Sequence, residues 1–216
     1  MKAYFISGLG CDRRAFQRVS LPDEFEIIHL DWIMPDGEET IGQYSIRMAA
    51  AIDTSGPFIL VGLSFGGMVA VEISKFKKPV KLFLISSVAC RAELPFFYRL
   101  CGRLHLDKIV PASWLTNAKP LLYFAFGPLD HETRPLFDVI LRDTSTEFLQ
   151  WALGVIARWK NDYIPGNLVR IHGANDRIFT VGKLGMDYLL AAGGHFCVYI
   201  KGPEVSRIIE ECMPES

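Results

Sequence analysis

The chain has 216 residues, half of them apolar, with 23 Lys plus Arg against 24 Asp plus Glu and a formal net charge of -1. That is one domain's length, and the apolar share is enough to build a core without disulfides or metal. Balanced charge excludes a dedicated nucleic-acid binder, and the apolar content excludes a disordered chain.

Short apolar runs alternate with helical stretches. Strands are predicted at Ala3–Ile6, Glu26–Asp31, Phe58–Leu63, Val80–Ser86, Leu168–His172 and Tyr188–Ala192. Most are near-continuous apolar runs, the pattern of parallel strands covered on both faces. Helices are predicted at Ile41–Ile52, Phe65–Phe76 (ended by Pro79), Val181–Leu184 and Pro203–Cys212, the last with Pro at its N-terminus. This alternation predicts a doubly wound α/β fold with a mostly parallel sheet of about six strands. One interval departs from it. Residues 91–158 carry helical periodicity with breaks at Pro95, Pro111, Pro120, Pro128 and Pro135, so they read as a helical insertion over one end of the sheet. Between Leu94 and Phe126 the insertion holds Phe96, Phe97, Tyr98, Trp114, Tyr123, Phe124 and Phe126, with four Lys/Arg and one acid, Asp107.

A mean hydropathy of +0.22 raises the question of a membrane. The longest apolar runs, Phe58–Leu63 and Leu82–Ile85, fall far short of the roughly 20 residues of a spanning helix. The excess hydrophobicity belongs to a buried sheet or an apolar site. The N-terminus lacks the pattern of a signal peptide. Cys11, Cys90, Cys101, Cys197 and Cys212 are odd in number and form no CxxC, which points to a reducing cytosol. No metal or cofactor is expected.

The chemistry-bearing motif is Gly62-Leu-Ser64-Phe-Gly66-Gly67. An apolar strand leads into it and a helix leaves it, the setting of a nucleophile elbow. A nucleophilic Ser must stand clear of the sheet, and a sharp strand-to-helix turn achieves that. The other reading is a Gly-rich turn with a solvated Ser. Two further strand ends carry polar groups: His172-Gly-Ala-Asn-Asp176, and Gly193-Gly-His195. Alone, Asp176 reads equally as a turn former and His195 as a loop histidine. The order Ser64, Asp176, His195 is that of Ser–His–Asp chemistry on an α/β sheet. All three follow strand C-termini, where open α/β sheets bind ligands. The Gly8-Leu9-Gly10-Cys11 turn after the first strand offers backbone N–H groups; an oxyanion hole there uses the N–H groups of Leu9 and Phe65. Gly8 and Cys11 are candidate substrate contacts, with Cys11 reading equally as a buried small residue. His29 is expected in the core, His172 in a structural hydrogen bond, and His105 and His131 on the surface. Arg91, Arg99 and Arg103 either face an acidic leaving group or lie on a solvated helix face.

Together the Gly62–Gly67, His172–Asp176 and Gly193–His195 motifs resemble the α/β-hydrolase superfamily over nearly the whole chain. The resemblance implies a single α/β-hydrolase domain over residues 1–216, with 91–158 as its inserted helical cap. It implies Ser64 as nucleophile, His195 as general base and acid, and Asp176 as orienting acid. Some members place the acid after the preceding strand, but Ser86-Ser-Val-Ala89 offers none. Two features depart from the family: Ser7-Gly8 stands where His-Gly is frequent, and the usual first antiparallel hairpin is missing. The missing hairpin leaves a sheet edge to solvent or to a partner, so the chain is a monomer or a homodimer. The expected activity is hydrolysis of a small carboxylic ester or thioester with an apolar acyl or aromatic group, in the cytoplasm. The alternatives are a lyase that uses the same triad for C–C cleavage and a non-catalytic ligand-binding relative.

Overall fold

The apolar runs become strands in a computed structural model of the chain, which describes residues 1–103, 119–127, 129–181 and 185–213. The strands are β1 (Lys2–Ile6), β2 (Glu26–Leu30), β3 (Phe58–Leu63), β4 (Leu82–Ile85), β5 (Leu168–Gly173) and β6 (Tyr188–Leu190). They form one parallel sheet in the order β2-β1-β3-β4-β5-β6. β4 is shorter than predicted, and β6 stops before Ala192, whose φ of 59° leaves the strand region. In β3 every residue is buried, and each large apolar side chain there contributes about 1.5–3 kcal/mol relative to exposure.

Side chains alternate along the strands and so divide the core. Tyr4, Ile6 and Leu60 face one layer; Phe5, Ile59 and Val61 face the other. The first layer holds α1 (Ile41–Met48) and α2 (Phe65–Ser74). Thr40 and Gln43 form a capping box at the start of α1, which fixes its first turn. The helix predicted to reach Ile52 ends at Met48 and continues as a short 3-10 turn over Ala49–Ala51. All ten residues of α2 are buried, as expected of a helix lying between the sheet and a second helical layer.

Between β4 and β5 the described residues contain no strand. They form α3 (Phe96–Arg103), α4 (Lys119–Phe126), α5 (Thr133–Asp143) and α6 (Thr146–Arg158). The prolines here mark beginnings: Pro95 precedes α3, and Pro120 and Pro135 sit in the first turns of α4 and α5, where their missing N–H costs nothing. Pro111, Pro128, His105, Asp107 and Trp114 lie outside the described residues.

The two roots of this segment are tied together. Asn161 Nδ2 donates to the Ala89 carbonyl, Arg91 N–H to the Asn161 carbonyl, and Arg91 Nη1 to the Trp159 carbonyl, each at 2.7 Å. Arg91 is therefore engaged with the fold. Farther along, α6 packs Phe148 and Trp151 against Trp32, Tyr44 and Phe65, with ring centroids 4.5–6.4 Å apart.

The chain closes with α7 (Cys197–Ile200) and α8 (Gly202–Glu211), which cover the second face with Phe16 and Phe137. α8 carries Pro203 in its first turn, as predicted. The predicted helix at Val181–Leu184 falls mostly outside the described residues. No described helix is long and apolar enough to cross a membrane.

Candidate active site

β1 and β3 run side by side with Ile6 opposite Gly62, so the loops that follow them leave the sheet together. Ser64 occupies the turn between β3 and α2 with φ 50° and ψ -117°. A non-glycine residue there carries about 1–3 kcal/mol of strain, which the surroundings must hold. The Ser64 N–H donates to the Ile85 carbonyl at 2.9 Å, and Ser87 Oγ donates to the Ser64 carbonyl at 2.6 Å. The flanking glycines are required by space. A Cβ on Gly62 would lie 2.5 Å from Gly67 Cα, and one on Gly66 2.1 Å from the Ser7 carbonyl oxygen.

Asp176 follows β5 and His195 follows β6. The structure brings both to Ser64. His195 Nε2 is 2.8 Å from Ser64 Oγ, and His195 Nδ1 is 2.8 Å from Asp176 Oδ2. Asp176 Oδ1 accepts the N–H groups of Ile178 at 2.8 Å and Phe179 at 3.0 Å. Burial pushes the Asp176 carboxyl up, but His195 beside it and hydrogen bonding from His172 and His195 outweigh burial. They hold it well below the usual carboxylate range. An ionised Asp176 only accepts, so His195 carries its proton on Nδ1 and leaves Nε2 to accept from the Ser64 hydroxyl. Phe126 and Phe179 stand edge-on to the His195 ring at 5.2 and 5.6 Å, and the His195 N–H donates to the Phe126 carbonyl at 2.7 Å.

Leu9 and Phe65 both border the space in front of Ser64. The Phe65 N–H opens α2, where no helical carbonyl is available to it. The Gly8–Cys11 turn is closed by a hydrogen bond from Cys11 N–H to the Gly8 carbonyl at 3.0 Å. Trp32 Nε1, which sequence reasoning did not single out, pins that turn by donating to the Cys11 carbonyl at 3.0 Å, and the Trp32 ring stacks on Phe65.

The space itself is a cavity of about 370 Å³. Its walls come from α3, α4, α5 and α6 and from Ile178 and Phe179; its floor is Leu9, Ser64, Phe65 and His195. Apart from Ser64 and His195, Tyr98 supplies the one lining side chain with a polar atom among the described residues. Burial pushes the Tyr98 phenol up to about 12. Phe97, Tyr98 and Phe126 are the predicted aromatics that reach this wall; Phe97 is itself exposed, as are Phe96 and Phe124, which do not line it. Gly8 and Cys11 border a separate recess of about 10 Å³ beside Ser64 and His195. Burial pushes the Cys11 thiol up to about 12, so it stays neutral.

Of the other described histidines, His172 and His131 fall as expected; His29 does not reach the core, because β2 is the edge strand of the sheet. His172 is buried, with its Nε2 3.0 Å from Asp176 Oδ2. His131 is exposed, and His29 is half-buried against Phe5 and Phe16 at the sheet edge.

Comparison with curated proteins finds no match. Similar solved structures include a thermophilic esterase from Thermogutta terrifontis (TM-score 0.69, 17% identity, 98% of this chain and 88% of that one). A lipase-esterase related protein from Clostridium acetobutylicum superposes with TM-score 0.67 at 17% identity, covering 98% and 94%. A bromoperoxidase from Bacillus anthracis gives 0.72 at 13%, covering 98% and 91%. At these identities the likeness is one of fold. The sequence profile of the alpha/beta hydrolase family matches residues 3–206, a range that takes in nearly all of the parallel sheet from Lys2 to Leu190. The chain belongs to the alpha/beta hydrolase family.

Proposed function

We propose that the protein is a serine hydrolase that cleaves a carboxylic ester or thioester of an apolar acyl group. One observation carries the reading: the two nitrogens of His195 reach Ser64 Oγ and Asp176 Oδ2 at 2.8 Å each, on the floor of an apolar cavity.

In this reading His195 Nε2 takes the Ser64 proton as Oγ attacks the substrate carbonyl. The N–H groups of Leu9 and Phe65 receive the oxyanion, a contribution that typically amounts to about 10²–10³ in rate per donor. His195 then gives its proton to the departing alcohol or thiol. Water attacks the acyl-enzyme with His195 again as base, and Ser64 recovers its proton. Asp176 keeps the imidazole in its tautomer and stabilises the imidazolium.

Residues 91–158 act as the cap that encloses the acyl group. The wall they supply is nearly all carbon and favours acyl chains over charged ones. Gly8 and Cys11 border the small recess beside the nucleophile, and Cys11 also borders a pocket with Trp32 and Phe148, so neither lines the acyl cavity. The unpaired thiols of all five cysteines support a cytosolic setting.

The test is hydrolysis of p-nitrophenyl esters from acetate to octanoate. The expected result is a rise in kcat/KM with chain length that disappears in Ser64→Ala. Equal rates for wild type and Ser64→Ala would contradict the proposal.

A further inference from the structure

His172 is the next-to-last residue of β5 and is 2% exposed. Its Nε2 lies 2.7 Å from the Phe179 carbonyl oxygen and 3.0 Å from Asp176 Oδ2. Both neighbours are acceptors, because Asp176 is held ionised. The proton on His172 is therefore on Nε2, donated to the carbonyl with the carboxylate close enough to share it. Asp176 Oδ2 then faces two imidazole N–H groups, one from His195 and one from His172. Its Oδ1 faces two backbone N–H groups, those of Ile178 and Phe179. A carboxylate offers about four lone-pair sites, so this one is fully used and has no freedom to rotate.

Phe179 links the same atoms. Its N–H reaches Asp176 Oδ1, its carbonyl takes the His172 proton, and its ring stands 5.6 Å from the His195 ring. The His172 imidazole thus closes the 173–179 turn across the acid.

We propose that His172 is a positioning residue: its Nε2–H fixes the Asp176 carboxylate and the Phe179 turn in the orientation that holds His195 on Ser64. The proposal rests on the reading of Ser64, His195 and Asp176 as a catalytic triad. His172 touches neither the cavity nor the reacting atoms, so it acts on turnover and leaves substrate binding alone.

Two variants of similar size separate donor from filler. His172→Gln keeps an amide N–H near the Nε2 position; His172→Met keeps the volume and removes the donor. Each is measured by kcat and KM on a p-nitrophenyl ester and by the low-field proton NMR signal of His195 Nδ1–H. In His172→Met, kcat is expected to fall about 10–100-fold with KM unchanged, the size of loss that follows a small misplacement of catalytic groups. The NMR signal is expected to broaden. In His172→Gln both are expected to return close to wild type. Wild-type kcat and signal in His172→Met would overturn the proposal, as would equal losses in the two variants. Should His172→Met fail to fold, His172→Gln decides: near-wild-type turnover supports donation, and a loss as deep as that of Ser64→Ala overturns it. A wild type that hydrolyses no ester would overturn the triad reading instead, and the NMR comparison would still report whether His172 holds the acid.

Discussion

The Asn175 N–H donates to the Gly193 carbonyl at 2.7 Å, so the loop bearing Asp176 and the loop bearing His195 are hydrogen-bonded to each other. The contact continues at Gly173, where a Cβ would lie 2.3 Å from the Gly194 carbonyl oxygen and 2.6 Å from that of Gly193. Asp176 and His195 are therefore set by one backbone junction between neighbouring strands.

That junction is sensitive to one methyl group. Gly173→Ala forces backbone apart, because no flexible side chain stands in the way to yield. The expected cost is about 1–3 kcal/mol in urea unfolding, the usual range for overpacking. The expected kcat loss exceeds the change in KM, since His195 moves and the apolar walls from α3 to α6 do not.

Asp176 has a pH signature. Its carboxyl titrates below its unfolded value of about 3.9. A lowered folded pKa stabilises the folded state above the unfolded pKa, and that contribution fades as pH falls through the folded one. The stability difference between wild type and Asp176→Asn is thus expected to be larger at pH 7 than at pH 3, read by urea midpoints. Turnover by Asp176→Asn at neutral pH is expected to fall by about 10⁴, because the amide favours the wrong His195 tautomer.

The cavity wall sets chain length. Leu153 lines it from α6. Leu153→Trp is expected to leave acetate hydrolysis intact and to lower kcat/KM for octanoate by about 100-fold. That corresponds to three or four methylenes left outside at about 0.8 kcal/mol each. Competition between the two esters in one assay measures the ratio.

The roots of the 91–158 segment bear load through Asn161. Asn161→Ala leaves the buried Ala89 carbonyl without its partner and frees the Tyr163 N–H. The expected loss is about 1–3 kcal/mol. Arg14→Met, which releases the half-exposed ion pairs to Asp12 and Asp143, is expected to cost under about 1 kcal/mol.

Some of this was legible in the residues and some was not. The strands were readable because fully buried parallel strands are continuous apolar runs, as in Phe58–Leu63. Ser64, Asp176 and His195 were readable because each sits at a fixed, short distance beyond such a run. The role of Trp32 was hidden, since only the fold brings its Nε1 to the Cys11 carbonyl. His172 was read as a structural hydrogen bond, and its partner became visible only when the turn folded Phe179 back over it. The 94–126 aromatics supply only part of the cavity wall, through Phe97, Tyr98 and Phe126. Leu149, Leu153 and Ile156 of α6 contribute as much. Which face of a helix meets a cavity depends on its docking angle, and helical periodicity alone does not report that angle.

The central claim is that Ser64 is an activated nucleophile. Its most direct test is labelling with a fluorophosphonate, followed by peptide mass mapping, in wild type, Ser64→Ala and His195→Ala. The expected result is one adduct on Ser64 in wild type, none in Ser64→Ala, and a strongly slowed reaction in His195→Ala. An adduct on another residue, or wild-type labelling in Ser64→Ala, would contradict it.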